Sequence, residues 1–154
     1  CAFIMNTKTA LQKATDLLAR QDQSERSLKR KLAARKYSAA EIDAAVDKLK
    51  QHNYLNDEDT CARQFERMYS DGKLSLNQIR AKLLQRGFDA SLIDACLPPD
   101  VDEHEKAAAL RALRLKFKTP VEDRKLYQHL ATRGFTGDAI ISAVDEFKTG
   151  FEAN

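Results

Sequence analysis

Apolar positions recur along the chain in three blocks that share one spacing. The segment from Ser24 to Val46 aligns without gaps with residues 75–97 and again with residues 122–144. Repetition of a whole block of this kind is typical of proteins built from stacked copies of one supersecondary unit. The pattern therefore predicts three tandem copies of the same unit.

The matched columns are apolar where a core requires apolar side chains. Five columns keep this character in every copy: Leu28/Ile79/Leu126, Leu32/Leu83/Leu130, Tyr37/Phe88/Phe135, Ile42/Ile93/Ile140 and Val46/Leu97/Val144. Two weaker columns precede them: Ala14/Phe65/Ala112 and Leu17/Met68/Leu115. We expect these side chains to be buried. One polar column, Arg35/Arg86/Arg133, is also kept.

The spacing within each block is helical. Leu28 and Leu32 are four positions apart, and so are Ile42 and Val46, which places each pair on one helix face. An all-α fold with three helices in each copy is therefore predicted. The helices are expected at roughly 7–21, 25–35, 39–52, 57–71, 76–86, 90–97, 101–118, 120–133 and 137–148.

The same reasoning divides the chain into units. Three-helix repeats are expected at residues 7–55, 56–99 and 100–148, followed by a tail at 149–154. A unit of this size buries little apolar surface alone, so we expect neighbouring units to share core along the chain in an elongated, curved array. Residues 1–6 are expected to be disordered or vector-derived, because Cys1 is not an initiator and Met5 offers a natural start.

The breaks between helices carry the residues that begin and end helices. Capping boxes are predicted at Ser38/Glu41, Ser75/Gln78, Asp100/Glu103 and Thr119/Glu122, the last with Pro120 as first helical residue. Asp89 and Thr136 are candidate N-caps. Gly87 and Gly134 precede the matched aromatic, where a helix end favours a left-handed residue. Lys36 replaces that glycine in the first copy, so its turn should be strained or differently shaped.

Composition agrees with this fold and limits the cellular setting. The chain is 43% hydrophobic, with five glycines, three prolines and no tryptophan, a mixture that favours helices. Its three cysteines cannot form a disulfide framework, and Cys61 and Cys96 are interpreted as small apolar residues in a reducing cytoplasm. No run of about 18 apolar residues is present, so no membrane span is predicted.

The second helix of the first unit is strongly basic. Its cations are Arg26, Lys29, Arg30, Lys31, Arg35 and Lys36, against one acid, Glu25. Residues 7–55 hold 11 lysines and arginines and six acids, whereas the other units are close to neutral. With positions 28 and 32 facing the core, Arg26 and Arg30 lie on the far side. Two interpretations stay open: a positive ridge for an acidic partner or phosphates, or a solvated face whose cations complement the helix dipole.

The repeated arginine also has two interpretations. It could bond the last carbonyls of its helix and lie over the following aromatic residue, or it could contact regularly spaced partners. Each pair of second and third helices resembles a helix-turn-helix. The exposed face of the third helix is small or acidic, as at Ala40, Asp43 and Asp47, which disfavours direct reading of DNA bases.

Residues for catalysis are sparse. His52, His104 and His129 are far apart and have no cysteine or carboxylate at ligand spacing. The sequence contains no glycine-rich phosphate loop and no recognisable nucleophile–histidine arrangement. We therefore expect no catalytic residues, no metal, no cofactor and no small-molecule substrate.

Several segments together resemble the bacterial RecX family. They are His52-Asn53-Tyr54-Leu55-Asn56-Asp57, Ala62-Arg63-Gln64-Phe65, Ser24 to Leu32, and Ile79 to Leu83 with Arg86-Gly87. The family shows a Gly-Tyr-Leu-(Asn/Asp)-Asp junction after its first unit. Here Asn53 replaces the glycine, and Ser27-Leu28 replaces a Glu-Leu pair. The resemblance extends from about residue 10 to residue 148, although the third copy lacks the junction.

The resemblance implies a regulator. RecX-like proteins bind RecA and its filament on single-stranded DNA and inhibit the ATPase, strand-exchange and coprotease activities that belong to the SOS response. The expected contact residues, chosen from charge and exposure, are Arg26, Lys29, Arg30, Lys31, Lys36, Arg80, Lys82 and Arg86. The alternative is a basic nucleic-acid-binding module that acts on DNA directly.

Overall fold

Nine helices make up most of residues 7–152, the part of the chain that the computed structural model describes. Repeat 1 contains α1 (Ala10–Arg20), α2 (Glu25–Ala34) and α3 (Ala39–Gln51). Repeat 2 contains α4 (Asp57–Asp71), α5 (Leu76–Gln85) and α6 (Ala90–Asp94). Repeat 3 contains α7 (Val101–Lys116), α8 (Asp123–Thr132) and α9 (Gly137–Glu152). The predicted all-α fold of three tandem three-helix repeats is confirmed.

Side-chain caps fix the start of many of these helices. The hydroxyls of Ser24, Ser38 and Ser75 accept the backbone N–H three residues ahead, which satisfies a donor that has no partner within the helix. The capping box predicted at Ser75 is complete, because the Gln78 side chain accepts the Ser75 N–H at 3.0 Å. The Thr136 hydroxyl accepts the N–H of Ala139 at 3.3 Å, as expected of an N-cap.

Each repeat has its own apolar core. Leu28 and Leu32 are fully buried in repeat 1, Ile79 and Leu83 in repeat 2, and the matching leucines at 126 and 130 in repeat 3. These positions belong to three separate clusters, one for each set of three helices, so the expectation that neighbouring units share core is wrong. Helix-to-helix packing is accordingly strongest inside each repeat, with α1 on α3, α4 on α5 and α6, and α7 on α9.

The turn that follows the second helix of each repeat has one left-handed residue. Gly87 and Gly134 have φ values of 96° and 80°, and Lys36 has a φ value of 70° at the matching position. The turn of repeat 1 therefore keeps the shape of the other two, and the prediction of a different shape is wrong. Strain is the part of that expectation that holds, because a side chain with a Cβ is disfavoured at positive φ.

Three apolar columns are less regular than predicted. Tyr37 is only half-buried, whereas the matching Phe88 and Phe135 are buried. Leu97 is 48% exposed, because α6 ends at Asp94 and the chain turns towards Pro98 and Pro99, which restrict the preceding backbone. Leu115 is 60% exposed, and the fully buried Leu113 occupies the core instead. The extension of α6 to residue 97 and the burial of these two leucines are corrections to the sequence interpretation.

Three helix starts also differ from their predicted caps. The Asp100 carboxylate makes no cap bond because it accepts the Tyr69 hydroxyl at 2.9 Å. Asp89 makes none and lies 3.4 Å from Arg26. The eighth helix begins at Asp123, not at Pro120, because Val121 packs against the repeat 3 core from an extended segment.

The last helix extends beyond its predicted end at residue 148. Phe151 packs against the repeat 3 core, and its ring lies edge-on to Phe147 with the centroids 4.9 Å apart. This contact continues α9 to Glu152, so residues 149–152 are helical. Residues 1–6 and 153–154, which include the predicted N-terminal segment, lie outside the described residues.

Candidate partner-binding surface

The predicted basic residues of repeat 1 form a ridge along α2 and the turn after it. We call this surface the α2 ridge and define it as Arg26, Lys29, Arg30, Lys31 and Lys36. It faces outward because Leu28 and Leu32 on the opposite side of α2 are fully buried. Arg26, Arg30 and Lys36 are exposed, and Lys29 and Lys31 are half-buried.

Part of the ridge is neutralised by neighbouring carboxylates. Lys29 Nζ lies 3.3 Å from Glu25 Oε1 and 3.6 Å from Asp43 Oδ1. Hydrogen bonding to Glu25 is the main cause that raises the pKa of Lys29. Arg26 reaches across to Asp89 of repeat 2, with both side chains more than two-thirds exposed. Exposed ion pairs of this kind contribute about 0–1 kcal/mol, so a partner can replace them at small cost.

Three members of the ridge keep an uncompensated charge. Arg30, Lys31 and Lys36 take part in no ion pair within the described part of the chain. They lie towards the C-terminal end of α2 and in its turn, where a cation also complements the helix dipole. The strongest positive charge of the ridge therefore lies around these three side chains.

The predicted contact residues of repeat 2 are less available. Arg80 Nη1 lies 2.7 Å from Asp94 Oδ1, between α5 and α6. Arg86 Nη1 donates to Oε1 of the buried Gln64 at 2.8 Å. Lys82 is exposed and has no ion pair within residues 7–152. The eight predicted residues therefore do not form one continuous surface with equal accessibility.

The repeated arginine column does not act in one way. Arg35 Nη1 donates to the Lys31 carbonyl at 2.9 Å, which is the predicted contact with a late carbonyl of its helix. Arg86 holds Gln64 of α4, and Arg133 Nε donates to His129 Nε2 at 3.2 Å. The side chains thus make three different contacts at one position of the repeat.

What the arginine column does share is a backbone contact between repeats. The Ser24 hydroxyl donates to the Arg86 carbonyl at 2.5 Å, and the Ser75 hydroxyl donates to the Arg133 carbonyl at 2.6 Å. Both serines are buried. This junction was missed from the sequence, although Ser24 and Ser75 occupy the first column of the aligned blocks.

A carboxylate supports each junction. The N–H of Glu25 donates to Asp57 Oδ1 at 2.8 Å, and the N–H of Leu76 donates to Glu105 Oε2 at 3.0 Å. Burial raises the pKa of both acids, while these backbone hydrogen bonds act in the opposite direction. Asp57 therefore joins two repeats besides lying in the first turn of α4.

The surroundings of His104 and Cys61 are those of structural residues and do not suggest catalysis. His104 stacks on Tyr69 with ring centroids 3.6 Å apart, and its Nε2 contacts the Tyr69 carbonyl. Burial is the main cause that raises the pKa of the Cys61 thiol to about 12, which disfavours a reactive thiolate. Within residues 7–152 no cluster of three or more histidine, cysteine or acidic side chains could hold a metal.

Comparison with known proteins identifies the family. A family model described as the first three-helix domain of RecX matches residues 10–49, which cover α1 to α3. A regulatory protein RecX from Neisseria meningitidis is 34% identical over 144 residues, which are 89% of this chain and 90% of the relative. The chain belongs to the RecX family. A regulatory protein RecX from Vibrio campbellii is 31% identical, and the match covers 90% of this chain and 91% of the relative.

Solved RecX structures share the fold. The crystal structure of RecX from Lactobacillus salivarius superposes with a TM-score of 0.74 at 18% identity, and it covers 91% of this chain and 95% of that chain. A second crystal structure of a regulatory protein RecX gives a TM-score of 0.71 at 24% identity over 88% of this chain and 71% of that one. The RecX relatives are named regulatory proteins. None of the described helices is long and apolar enough to span a membrane.

Proposed function

We propose that this protein is a regulator that binds RecA and the RecA filament on single-stranded DNA. It inhibits the ATPase, strand-exchange and coprotease activities of RecA, and it acts in the cytoplasm. The observation that carries the proposal is membership of the RecX family along nearly the whole chain, because the relatives are named regulatory proteins.

The repeat architecture suits this role. A filament presents identical subunits at regular intervals, and three tandem units of similar fold can contact successive subunits. Weak contacts that are linked in one chain add through a high effective concentration. The Ser24 and Ser75 junctions fix neighbouring units relative to each other, which reduces the entropy lost when several contacts form together.

Among the eight candidate contact residues, we assign the leading role to the α2 ridge. Arg30, Lys31 and Lys36 offer charges that no described carboxylate neutralises. Arg26 has an exposed partner in Asp89, and Lys29 pairs with the exposed Asp43 and the half-buried Glu25. In repeat 2, Lys82 is the most available cation. Arg80 would have to leave Asp94, and Arg86 would have to leave the buried Gln64. The RecA-facing surface is therefore proposed to be centred on repeat 1.

The first experiment measures RecA directly. The protein is added in stoichiometric amounts to RecA with single-stranded DNA, and ATP hydrolysis and LexA cleavage are followed. We expect both to decrease. Unchanged ATP hydrolysis and unchanged LexA cleavage would contradict the proposed function.

A second experiment tests the α2 ridge with charge reversal. Arg26→Glu combined with Arg30→Glu should weaken inhibition of the ATPase while circular dichroism and the melting temperature stay close to those of the wild type. The matched control is Arg67→Glu combined with Arg114→Glu, because these exposed arginines on α4 and α7 have no ion pair within the described residues. If both pairs of substitutions weakened inhibition of the ATPase equally, only the net charge would matter, and the α2 ridge would be rejected as the contact surface.

The second candidate function is direct nucleic-acid binding by the α2 ridge, which its three uncompensated cations favour. In that case the protein alone would bind DNA with a steep salt dependence, and excess DNA would abolish inhibition. Inhibition that persists in excess DNA, together with weak binding of naked DNA, would favour the RecA contact instead.

A further inference from the structure

A second basic surface lies in repeat 3, where no contact residue was predicted. The end of α7 and one face of α8 line an open, solvent-exposed pocket of about 400 Å³. We call it the α8 pocket and define it by Lys116, Phe117, Lys125, His129 and Arg133, which line it together with Gln128 and Thr132. Three of the lining side chains are cations, and none is an acid.

The cations of the α8 pocket lack the compensation seen elsewhere in the molecule. Lys116, Lys125 and Arg133 take part in no ion pair within residues 7–152. On the same helix, Asp123 lies outside the pocket and pairs with Lys148 at 2.9 Å. Three like charges around one concavity repel each other, and an anion that enters between them relieves this repulsion.

The histidine in the pocket is held in its neutral form. Arg133 Nε donates to His129 Nε2 at 3.2 Å, so that this ring nitrogen acts as an acceptor. Burial, and then the charges of Arg133 and Lys116, lower the pKa of His129. The pocket therefore keeps its positive charge on the two lysines and the arginine, while His129 can present its other ring nitrogen as a donor.

The apolar wall of the pocket and the backbone of Arg133 are positioned by contacts with the rest of the protein. Phe117 packs against the repeat 3 core, and its ring meets His129 edge-on with the centroids 5.5 Å apart. The backbone of Arg133 is fixed by the Ser75 hydroxyl of the preceding repeat at 2.6 Å. A site whose parts are held by packing and hydrogen bonds before binding loses less entropy when the ligand enters.

We propose that the α8 pocket binds a phosphate group of a nucleotide, either free or within a strand. A phosphate carries oxygens in a tetrahedral arrangement and can contact several separated donors, whereas a carboxylate offers two coplanar oxygens and one charge. The guanidinium of Arg133 can bind two of these oxygens at once, and Lys116 and Lys125 add point charges. This inference goes beyond the proposed regulation of RecA and does not depend on it.

The repeat gives an internal comparison. The position of His129 is occupied by Lys31 in repeat 1 and by Lys82 in repeat 2, and the position of Lys125 is occupied by Ser27 and Gln78. The pocket is therefore not a by-product of the repeated fold. Its combination of charges belongs to repeat 3 alone among the three aligned copies.

The test uses the full chain without RecA and two probes. The first is a fluorescein-labelled oligodeoxythymidine of about 12 nucleotides, a length within the range that single-stranded-nucleic-acid-binding folds cover, followed by fluorescence anisotropy at low salt. The second is AMP, followed by calorimetry. Lys116→Gln combined with Lys125→Gln should weaken binding of at least one probe about tenfold, because two contacts with the phosphate are lost.

The matched control removes the same charge outside the pocket. Lys118→Gln combined with Arg124→Gln changes two exposed cations of repeat 3 that do not line the pocket, and should change affinity less than about twofold, by long-range charge alone. In the wild type, inorganic phosphate should shift the ring resonances of His129 in NMR spectra, and in the Lys116/Lys125 variant this shift should be lost at the same phosphate concentration.

The outcomes distinguish a phosphate within a strand from that of a free nucleotide, and they distinguish failure of this inference from failure of the proposed function. Pocket-dependent binding of the oligonucleotide alone assigns the site to a strand, and pocket-dependent binding of AMP as well assigns it to a nucleotide phosphate in general. The inference is overturned if neither probe binds or if pocket and control variants lose affinity equally. Loss of probe binding with full inhibition of RecA by the variant would leave the proposed function unaffected.

Discussion

The hydroxyl of Ser24 donates a hydrogen bond to the backbone carbonyl of Arg86, 62 positions later in the chain, at 2.5 Å. The same oxygen accepts the N–H of Ser27 at 3.1 Å, so one buried side chain both begins α2 and joins repeat 1 to repeat 2. Ser75 and Arg133 repeat the arrangement between repeats 2 and 3. The relative orientation of the units is therefore set by a polar contact that each unit presents at an equivalent place.

A first prediction follows from the space around Gly87. Its φ is +96°, and a Cβ added there would lie 2.7 Å from the Ser24 hydroxyl oxygen and 3.1 Å from the Cβ of Arg26. Gly87→Ala should lower the free energy of unfolding by roughly 2–4 kcal/mol, because backbone strain adds to the loss of the junction bond. Urea denaturation followed by circular dichroism measures this.

Two other glycines serve as controls for Gly87. Gly134→Ala should cost less, since the nearest atom is the Cβ of Asn77 at 3.0 Å and the Ser75 hydroxyl is 3.6 Å away. Gly137→Ala should be neutral or stabilising by up to about 1 kcal/mol, because the site is open and lies in a helix. If Gly87→Ala were as mild as Gly137→Ala, the junction would not hold the repeats together.

A second prediction concerns Lys36, which stands at φ +70° where the other repeats have glycine. Lys36→Gly should raise the free energy of unfolding by about 1 kcal/mol, because glycine adopts the left-handed region without a Cβ penalty. Lys36→Asn should give an intermediate gain. Thermal melts at one ionic strength are the measurement.

Asn53 provides a comparison for the effect of residue type at positive φ, whereas Lys36→Asn removes the same charge as Lys36→Gly and so controls for charge. Asn53 also has a positive φ, 57°, but asparagine tolerates this conformation, so Asn53→Gly should gain less than Lys36→Gly. No gain at Lys36 would mean that the lysine contributes an interaction that offsets the strain. The same tolerance explains how Asn53 can stand where the RecX pattern has glycine.

The sequence was sufficient for the repeat and its cores because burial imposes a period on the chain. Positions such as Leu32, Leu83 and Leu130 must be apolar in every copy, and all three are fully buried. Gly87 and Gly134 were predictable for a related reason, since a left-handed turn selects glycine. In both cases a local physical requirement limits the residue type.

Features that depend on contacts between distant residues could not be predicted in the same way. The Asp100 side chain looks like a helix cap, but its partner is Tyr69, 31 positions away. The accessibility of Arg26 and Arg80 depends on Asp89 and Asp94, whose proximity only the fold creates. The α8 pocket likewise unites the end of α7 with α8, and the basic residues at 111–118 do not by themselves show which of them meet Lys125 and Arg133.

A third prediction concerns Glu105, which is 3% exposed and accepts the backbone N–H groups of Leu76 and Thr136. The amide of glutamine has one acceptor oxygen, so Glu105→Gln should leave one of these donors unpaired and cost roughly 1–3 kcal/mol. Chemical denaturation at several pH values is the measurement.

The pH dependence of that cost has a defined sign. Burial raises the pKa of Glu105 in the folded state, so the folded protein binds a proton more readily than the unfolded chain. The stability from this group is complete below the ordinary glutamate pKa of 4.5 and decreases as the pH rises through the higher folded pKa. The advantage of wild type over Glu105→Gln should therefore narrow as the pH rises above 4.5.

The exposed Glu103 on the same helix provides the control for this titration. Its side chain is 84% exposed, so the difference in stability between wild type and Glu103→Gln should be small and nearly independent of pH. If the difference in free energy of unfolding between wild type and Glu105→Gln stayed constant or increased with pH, burial at the junction would not disfavour the ionised carboxylate.

The last prediction uses two adjacent leucines of α5. Leu83 is fully buried in the repeat 2 core, whereas Leu84 is 43% exposed. Leu83→Ala should cost roughly 2–5 kcal/mol, because it removes buried methyl groups and leaves a cavity beside its neighbours. Leu84→Ala should change stability by less than about 1 kcal/mol, since the helix tolerates alanine and little burial is lost.

The response of the other repeats to Leu83→Ala tests how strongly the units are coupled. Each repeat has its own core, but repeat 2 holds both junction partners, Arg86 for repeat 1 and Ser75 for repeat 3. Loss of the repeat 2 core should therefore lower amide hydrogen-exchange protection in α2 and α8 as well as in α5. If protection fell in repeat 2 alone, the junction bonds would orient the units without transmitting their stability.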